Sequence, residues 1–413
     1  MKNLVGACMF AQSGGPTSVI NASAAGVFLE ALDQANITAV YGAANGIKGV
    51  LNEQFYDIGK EDRKELELLK YTPSSALGSV RYKLKDASVD DTDYKRIVEV
   101  FKKYNVRYFF YNGGNDSMDT CNKISKYMQK SGWDCNVIGV PKTIDNDLYG
   151  TDHCPGYASA AKYIATTIME VNLDAKVYDT PMVCVIECMG RNAGWLTAAA
   201  ALAGYKGLGA DLIYLPEVAF DVDKFIEDVK NICAKNNNKC IAVVSEGIHD
   251  KNGELICELV SKGARDSFGH AQLGGVATTL ANMIKEKTGF KTRGIELSLM
   301  QRCGAHLASK VDVEETFEAG RQAVKAAVNG ETDKMVCYER QPGEAYKCEY
   351  RLLPLELAAN TEKTVPLNWI TNNGTYISDE YVKYALPLIQ GDCKAPLEDG
   401  LPRFAHLKKV LVK

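Results

Sequence analysis

The sequence predicts an α/β fold with parallel sheets. Short apolar runs rich in β-branched and aromatic residues alternate along the chain with longer segments of helical period. Several of these runs end directly in glycine, asparagine, aspartate, lysine or arginine, where a parallel strand would end. Because ligands bind beyond the carboxyl ends of strands in open α/β sheets, polar residues at these points indicate a binding site. We therefore expect two sheets whose carboxyl ends form the facing walls of a cleft.

The alternation of strands and helices falls into two series. In the first series the predicted strands are residues 4–10, 37–43, 106–111 and 135–140, and the predicted helices are residues 18–35, residues 90–105 and a third helix that ends near residue 130. In the second series the predicted strands are residues 182–188, 211–215 and 240–246, and the predicted helices are residues 157–176, 193–203, 221–235, 274–287 and 312–329. A chain of 413 residues is long for a single core, which favours two domains with an appended segment.

Composition limits the classes of function. With a net charge of -4 and a pI near 5.9, the chain lacks the excess of positive charge that nucleic-acid-binding proteins use to attract phosphates. No segment approaches the ~20 apolar residues that a membrane-spanning helix needs, and the first apolar run is too short for a signal peptide. The thirteen cysteines are an odd number, and several lie inside apolar runs, which indicates free thiols in a reducing compartment. We expect a cytoplasmic protein that binds neither nucleic acid nor membranes.

The stretch Pro141-Lys142-Thr143-Ile144-Asp145-Asn146-Asp147 directly follows a predicted buried strand. Its threonine offers a hydroxyl donor and its lysine offers a cation for phosphate. The two aspartates offer a candidate base and a ligand for metal or water. These groups suit phosphoryl transfer, in which positioning and charge neutralisation supply most of the catalysis. Taken alone, the stretch could also be an ordinary turn rich in aspartate and asparagine.

Two glycine-rich turns follow predicted strands and open predicted helices. Glycines in the first turn, Gly14 and Gly15, let the backbone approach a ligand, and the following helix amino terminus favours an anion. The second turn contains Asn115 and Asp116, and carboxylates near phosphate are normally tolerated only with a divalent metal. Arg81, in a loop beside glycine and serine, is suited to clamp a phosphoryl group. Each of these segments alone could also be a structural turn or a solvated loop.

Polar residues close strands of the second series as well. Arg191 follows one predicted strand and Glu246 follows another. Farther along the chain, Arg293 and Arg302 stand nine residues apart around an apolar stretch. The second wall of the predicted cleft therefore contributes Arg191 and Glu246.

Taken in order, these motifs resemble those of the phosphofructokinase family, and more closely those of its pyrophosphate-dependent members. The ordered set is more specific than any one motif. The matching stretches are Ser13-Gly14-Gly15-Pro16, Leu77-Gly78-Ser79-Val80-Arg81-Tyr82-Lys83, Gly113 to Ser117, Pro141 to Asp147, Met189-Gly190-Arg191, Ser245-Glu246-Gly247 and Gln301-Arg302.

The resemblance implies two Rossmann-like three-layer α/β domains that face a central cleft. Residues 1–155 would bind the phosphoryl donor and residues 156–335 the sugar phosphate, with the chain crossing back to the first domain near residues 270–330. Residues 336–413 would form a C-terminal extension. Because this family often completes its sugar site across subunits, the resemblance also implies a homodimer or a higher homo-oligomer.

The resemblance also implies catalytic roles for individual residues. Asp145 would take the proton from the 1-hydroxyl of fructose 6-phosphate as that hydroxyl attacks the donor. Thr143 would hydrogen-bond the transferring phosphoryl group or the sugar, and Asp147 would help to organise metal, water and the attacking hydroxyl. Arg81 would neutralise the charge that develops on the bridging oxygens of the donor.

Mg²⁺ accompanies the phosphoryl donor in this family. The donor phosphates would lie against the backbone of Gly14 and Gly15. Asn115 stands where much of the family has an aspartate that binds the metal ion, so coordination would shift towards neighbouring carboxylates. The candidate metal ligands are Asn115, Asp116 and Asp145.

The sugar phosphate would bind to the second wall. An arginine pair suits the 6-phosphate because a guanidinium group matches the geometry of a phosphate dianion. The residues that would hold the sugar ring and its hydroxyls are Met189, Gly190, Arg191 and Glu246, and those that would bind the 6-phosphate are Arg293 and Arg302.

Donor choice depends on two positions where ATP-using members of the family have glycine. Asp116 would repel the α-phosphate of a nucleotide and so disfavour ATP, and Lys142 would add a cation beside pyrophosphate. The resemblance therefore favours transfer from pyrophosphate to fructose 6-phosphate. The products would be fructose 1,6-bisphosphate and phosphate, in a reversible step of glycolysis and gluconeogenesis.

Two other functions stay open at this point. The first is an ATP-dependent phosphofructokinase. The second is a catalytically silent regulatory subunit that binds sugar phosphate. It is suggested by Asn115, which stands where much of the family has a metal-binding aspartate. Lipid kinases and nicotinamide dinucleotide kinases share a similar glycine-rich turn but lack the Thr-Ile-Asp-Asn-Asp and Met-Gly-Arg motifs, so they are discounted.

Overall fold

The computed structural model describes residues 4–259, 275–359 and 361–412 of the chain. Its longer strands are β1 (Gly6–Gln12), β2 (Ile37–Ala43), β3 (Phe55–Asp57), β4 (Val106–Gly113), β5 (Asn136–Pro141), β6 (Met182–Cys188), β7 (Leu212–Tyr214), β8 (Lys239–Ser245), β9 (Lys291–Glu296), β10 (Lys334–Arg340) and β11 (Cys348–Pro354). Two short antiparallel ribbons near the carboxyl terminus consist of β12 (Ile370–Thr371) with β13 (Tyr376–Ile377) and β14 (Leu397–Glu398) with β15 (Leu401–Pro402).

Helices connect most of these strands. They are α1 (Ile20–Leu32), α2 (Ile47–Leu51), α3 (Arg63–Leu68), α4 (Thr92–Lys103), α5 (Asn115–Lys130), α6 (Tyr157–Ala175), α7 (Trp195–Ala198), α8 (Ala200–Gly204), α9 (Val222–Lys235), α10 (Val276–Thr288), α11 (Met300–Cys303), α12 (Lys310–Val328), α13 (Leu355–Ala358) and α14 (Asp379–Ala385). None of the described helices is both long enough and apolar enough to cross a membrane.

The first sheet has seven strands among the described residues, in the order β11-β10-β5-β4-β1-β2-β3. The inner strands are parallel to one another, and β3 and β11 pair antiparallel at the two edges. Strands β1, β4 and β5 end level with one another, because Gln12 pairs with Asn112 and Gly113 pairs with Pro141. The turns that follow these three strands therefore emerge together at one edge of the sheet.

Four parallel strands form the second sheet within the described residues, in the order β7-β8-β6-β9. Strands β6 and β8 are in register to their last residues, where Cys188 pairs with Ser245. The turns that begin at Met189 and Glu246 therefore lie side by side. Strand β9 is an edge strand, and most of its side chains are exposed.

Buried central strands explain why the sequence shows continuous apolar runs rather than strict alternation. Every residue of β1 and of β6 is buried. In β4, Phe109 and Tyr111 pack into the core on one face of the sheet, whereas Tyr108 and Phe110 pack into the core on the other face. Helices cover both faces, as is typical of parallel sheets.

The chain returns from the second sheet to the first through α12. Helix α12 packs on α1, and the two backbones approach closely at a glycine from each helix. A β-carbon at Gly26 would lie 2.0 Å from the carbonyl oxygen of Phe317, and one at Gly320 would lie 2.3 Å from that of Ser23. Only glycine fits at these two positions without shifting the backbone of either helix.

The carboxyl-terminal part of the chain contacts both sheets. Strands β10 and β11 extend the first sheet, and Ile377 and Tyr381 pack into the core of the second sheet. The last segment then returns to the first sheet, where the backbone nitrogen of Asp57 donates to the carbonyl oxygen of Val410. Residues 336–413 therefore pack on both sheets, and their interpretation as a C-terminal extension stays a prediction, as does the division of the chain at residues 155 and 335.

Most predicted elements lie where the sequence places them. Strands β2 and β6 have the predicted ends, and the other predicted strands and helices differ by a few residues. The prediction of a single helix over residues 193–203 is wrong, because the helical segment is divided at Ala199 into α7 and α8. The start of the helix predicted from Gly274 lies outside the described residues, and the described helix begins at Val276.

Candidate active site

A cleft of about 480 Å³ lies between the carboxyl ends of the two sheets. Its walls contain most of the residues that the sequence indicated. These residues are Gly14, Gly15, Arg81, Asn115, Asp116, Lys142, Thr143, Asp145, Asp147, Met189, Arg191, Glu246 and Arg302. The structure thus brings together side chains that are far apart in the sequence.

The glycine-rich turn after β1 lies between the side chains of Lys142 and Arg302. Gly14 has a φ of 78°, in the region that favours glycine. The Lys142 ammonium donates to the carbonyl oxygen of Gly15 at 2.6 Å, and a β-carbon at Gly15 would lie 3.0 Å from a terminal nitrogen of Arg302. The hydroxyl of Ser79 fixes the turn from the side, donating to the carbonyl oxygen of Gly14 at 2.5 Å. The turn is therefore a backbone surface flanked by positive charge, which suits phosphate.

Lys142 is almost completely buried, with 4% of its surface exposed. Burial lowers the pKa of its ammonium group to about 8, although the nearby carboxylates of Asp145 and Asp147 oppose this shift. Arg302 and Arg81 lower the pKa further because they are also positively charged. A buried cation beside two arginines would be stabilised by a bound anion.

The turn after β5 carries the two aspartates that face the cleft. Its shape depends on Asn146, which is fully buried and has a φ of 56°. The amide of Asn146 donates to the hydroxyl of Tyr384 at 2.8 Å, and its carbonyl oxygen accepts from the backbone nitrogen of Cys154 at 2.9 Å. Asparagine tolerates this left-handed conformation better than most residues. The buried Asn146 side chain thus anchors the turn between Asp145 and Asp147.

Burial raises the pKa values of both aspartates. For Asp147 the pKa rises to about 7, with a further contribution from the negative charge of Asp145. For Asp145 burial also raises the pKa, whereas the cations Lys142, Arg191 and Arg302 oppose the rise. Asp145 is therefore the aspartate with more positive charge around it, which favours the ionised form that a base needs.

Asn115 and Asp147 form the part of the cleft that fits a divalent metal ion. The Asn115 amide donates to one carboxylate oxygen of Asp147 at 2.8 Å. The remaining side-chain oxygens, Oδ1 of Asn115 and Oδ1 of Asp147, are buried and have no hydrogen-bond partner. Buried carboxylate and amide oxygens without a donor are suited to a hard cation such as Mg²⁺. Asp147, which the resemblance implies helps to organise the metal ion, is thus a candidate metal ligand together with Asn115.

The second wall of the cleft is built on the turns after β6 and β8. Gly190 has a φ of 134°, and its backbone nitrogen donates to the Glu246 carboxylate at 3.2 Å. The backbone nitrogen of Met189 donates to the side chain of Gln301 at 3.1 Å. Burial raises the pKa of Glu246 to about 7. These contacts fix Met189 and Glu246 on the side of the cleft opposite Lys142.

A model of the phosphofructokinase family matches residues 7–327 of the chain. The chain belongs to the phosphofructokinase family. The resemblance in the sequence motifs is thereby confirmed, and so is the α/β fold class.

Similar members of the phosphofructokinase family match nearly the whole chain. The chain is 44% identical over 405 residues to the pyrophosphate--fructose 6-phosphate 1-phosphotransferase of Halomonas elongata, a match that covers 97% of this chain and 96% of that protein. It is also 44% identical over 413 residues to the protein of the same name from Xanthomonas campestris. That match covers 98% of this chain and 97% of that protein. The crystal structure of the pyrophosphate-dependent phosphofructokinase from Marinobacter aquaeolei superposes with a TM-score of 0.89 at 39% identity, covering 99% of this chain and 98% of that one.

Two of the residues expected to hold the sugar phosphate do not line the cleft. Gly190 lies behind the wall, where it supports Met189 and Glu246. Arg293 lies in the middle of β9 with its side chain exposed, and it lines a different cavity with Lys291. Within the single chain Arg293 therefore does not lie beside Arg302, and its role in binding the 6-phosphate stays a prediction.

The sequence analysis missed Glu362 and Asn192. Glu362 lines the cleft, and both of its carboxylate oxygens accept from the side-chain amide of Asn192 at 3.0 Å. Asn192 follows the Met-Gly-Arg motif of the family and could have been considered with it. Glu362 lies in a part of the sequence without a motif, and no local signal would have identified it.

The Tyr384→Phe variant tests whether the C-terminal helix α14 positions the catalytic turn. Loss of the hydroxyl leaves the buried Asn146 amide without its acceptor, which costs about 1–3 kcal/mol. We expect kcat of this phosphofructokinase to fall about tenfold, with little change in the KM for the sugar phosphate. Steady-state kinetics and thermal unfolding measure the two effects.

The matched control for Tyr384→Phe is Tyr381→Phe on the same helix. The Tyr381 hydroxyl donates to the carbonyl oxygen of Trp195 and is hydrogen-bonded to the Tyr157 hydroxyl, and neither bond involves Asn146. Its loss should reduce stability without reducing kcat. Equal losses of kcat in the two variants would show that Tyr384 acts only through general stability.

Proposed function

We propose that this protein transfers a phosphoryl group from pyrophosphate to the 1-hydroxyl of fructose 6-phosphate, giving fructose 1,6-bisphosphate and phosphate. The observation that carries the proposal is the position of Lys142, buried against the glycine-rich turn where the donor phosphates would bind. Its ammonium adds positive charge for a small polyanion such as pyrophosphate. The reaction exchanges a phosphoanhydride for a phosphomonoester and is reversible, so it serves both glycolysis and gluconeogenesis.

Asp145 is the proposed base. As the 1-hydroxyl oxygen bonds to the nearer phosphorus of pyrophosphate, its proton moves to the Asp145 carboxylate and the bridging P–O bond breaks. Inorganic phosphate leaves with the electrons of that bond. Thr143 would hold the transferring group, because its hydroxyl faces the cleft beside Asp145 and accepts from the Asp145 backbone nitrogen at 3.1 Å.

Cations and a divalent metal ion would neutralise the phosphates. Arg81 and Lys142 would contact the donor. Arg302 would bind the 6-phosphate, and its position beside Gly15 also places it near the donor. The unpartnered oxygens of Asn115 and Asp147 would hold Mg²⁺, with Asp116 and Asp145 nearby. When bound, the metal ion neutralises negative charge on the pyrophosphate oxygens and orients them.

The acceptor would lie on the second wall. Met189 and Arg191 would contact the sugar, and the Glu246 carboxylate would accept from its hydroxyls. We further propose that residues 1–155 mainly bind the donor and residues 156–335 mainly bind the sugar phosphate. A cytoplasmic homodimer or higher homo-oligomer, in which Arg293 faces a partner subunit, is part of the same proposal.

A coupled assay for fructose 1,6-bisphosphate tests the proposed function. The full-length protein is supplied with Mg²⁺ and fructose 6-phosphate, and with either pyrophosphate or ATP. Turnover with pyrophosphate alone is the expected result. Turnover only with ATP would keep Asp145 as the base but contradict the donor assignment. Binding of fructose 6-phosphate without turnover of either donor would favour the silent regulatory subunit.

The Asp116→Gly variant tests the basis of donor choice. Asp116 lies exposed in the first turn of α5, at the wall where a nucleotide would extend from its phosphates. Removal of its charge should raise kcat/KM for ATP about tenfold, because one repulsive contact of about 1.4 kcal/mol is lost. Glycine also removes the side chain, so Asp116→Asn is the control that isolates the charge. An unchanged ratio of ATP to pyrophosphate use in both variants would show that Asp116 does not select the donor.

A further inference from the structure

A segment of the carboxyl-terminal part of the chain is fixed to the catalytic turn. The backbone nitrogen of Lys363 donates to the carbonyl oxygen of Asp147 at 2.8 Å, and Glu362 forms an antiparallel bridge with Leu148. Two more contacts hold the segment: the Lys363 ammonium donates to the carbonyl oxygen of Asp152 at 2.7 Å, and the Trp195 indole donates to that of Lys363 at 2.9 Å. The segment therefore holds Glu362 beside the two aspartates of the cleft.

The Glu362 carboxylate is oriented by a neutral partner. Both of its oxygens accept from the Asn192 amide at 3.0 Å, and the side chain faces the mouth of the cleft. A neutral amide fixes the direction of the carboxylate but leaves its negative charge uncompensated. Glu362 lies close enough to Asp145 and Asp147 to disfavour the ionised form of each.

Glu362 thus joins the carboxylates of Asp145 and Asp147 in a cleft that is proposed to bind a polyanion, and Asp116 and Glu246 line the same cleft. Such an arrangement repels pyrophosphate unless a cation lies between the carboxylates and the phosphates. The buried Oδ1 atoms of Asn115 and Asp147, which have no hydrogen-bond partner, are a second observation that favours a cation in this part of the cleft. Lys142 lies near Asp145 and Asp147, but a carboxylate added at the mouth of the cleft is still unfavourable in a site for free pyrophosphate. It favours a site for the metal complex of pyrophosphate.

Among the described residues, the carboxylates of the cleft do not form a group of three ligand atoms close enough to hold one metal ion together. In the part of the chain that the structure describes, the one group of three metal-binding atoms within 4.8 Å of one another is His153, Glu315 and Cys348, at another place. There both imidazole nitrogens of His153 are already hydrogen-bonded to carboxylates. Mg²⁺ usually keeps several water molecules when it binds to protein and phosphate. A carboxylate at the cleft mouth is therefore suited to hold a metal-bound water rather than the metal ion itself.

We propose that Glu362 is a positioning residue for the metal–pyrophosphate complex, and that its carboxylate accepts hydrogen bonds from water molecules bound to the divalent cation. The inference rests on the proposed function and adds a residue from the carboxyl-terminal part of the chain to the donor site. Asn192 orients Glu362, and the pairing of Lys363 with Asp147 sets its distance from the catalytic turn. Groups that hold metal ligands in this way typically change metal affinity by about 10–100-fold when they are removed.

The test is a titration of the full-length protein with Mn²⁺, monitored by the electron paramagnetic resonance of free Mn²⁺. It is carried out with Mn²⁺ alone and with methylenediphosphonate, a pyrophosphate analogue that cannot be cleaved. We expect Glu362→Gln to raise the Kd for Mn²⁺ in the presence of the analogue about tenfold. The affinity for fructose 6-phosphate and the melting temperature should not change, because Glu362 is exposed and its segment is held by other contacts.

Two further variants serve as a negative and a positive control for the measured Mn²⁺ affinity. Glu380→Gln removes a carboxylate from the same part of the chain, where Glu380 pairs with Lys383 at the surface, and it should bind Mn²⁺ like the wild type. Asp147→Asn should weaken Mn²⁺ binding more than Glu362→Gln does. Wild-type affinity in Glu362→Gln, alongside weakened binding in Asp147→Asn, would overturn the inference. A wild-type protein that binds Mn²⁺ with the analogue but does not use pyrophosphate would contradict the proposed function, while the Glu362 comparison would still decide the inference.

Discussion

The Asp145→Asn variant is expected to lose about 10³-fold in kcat, which is the contribution that a well-placed general base makes. An amide in place of the carboxylate could not accept the proton of the attacking hydroxyl, although the shape of the turn would be kept by Asn146 and its bond to Tyr384. Binding of fructose 6-phosphate should change little, because Arg191 and Arg302 remain. Steady-state kinetics with pyrophosphate and a separate titration with fructose 6-phosphate distinguish the two effects.

The control for Asp145→Asn is Asp223→Asn, which removes a surface carboxylate that pairs with Lys287. It should have wild-type kinetics. A loss of less than tenfold in Asp145→Asn would mean that another group takes the proton. The nearest candidate would then be Asp147, whose pKa burial raises to about 7.

The sequence predicts that the residues of the candidate site line one cleft, because their positions follow from local patterns. Each of the turns that contain Gly14, Asn115 and Asp145 comes directly after a strand that its apolar run identifies. Adjacent parallel strands end at the same edge of a sheet, so these turns had to lie together. The ends of β2 and β6 were predictable as well, since Asn45 and Arg191 follow these strands within three residues.

The positions of Arg293 and Glu362 could not be predicted, for two different reasons. Arg293 lies in the middle of an exposed edge strand, so its side chain leaves the sheet before the carboxyl end at which the cleft begins. The number of residues between Arg293 and Arg302 does not indicate the direction in which the Arg293 side chain leaves the sheet. Glu362 depends on the pairing of Lys363 with Asp147, a contact between distant parts of the chain. Neither residue lies in a pattern of helical or strand period.

The Lys142→Met variant is expected to lower kcat/KM for pyrophosphate about 10²–10³-fold, the loss typical of removing one fixed charge-stabilising group from an active site. Methionine has a similar length and is apolar, so the buried position next to Gly15 can still be filled. The KM for fructose 6-phosphate should change little, because Lys142 lies on the donor side of the cleft. A loss confined to the sugar phosphate would contradict the assignment of Lys142 to the donor.

The pH dependence of the same reaction separates the charge of Lys142 from its shape. Burial lowers the pKa of the Lys142 ammonium to about 8, so the free protein carries this charge below pH 8 and loses it as the pH rises. Because kcat/KM reports the ionisation of free enzyme, kcat/KM for pyrophosphate should decline above about pH 8. Lys142→Arg keeps its charge throughout this range and should lack the decline, even if its larger side chain lowers the rate. Since ionisation of the donor affects both proteins equally, a decline of the same size in Lys142→Arg would assign it to pyrophosphate and not to Lys142.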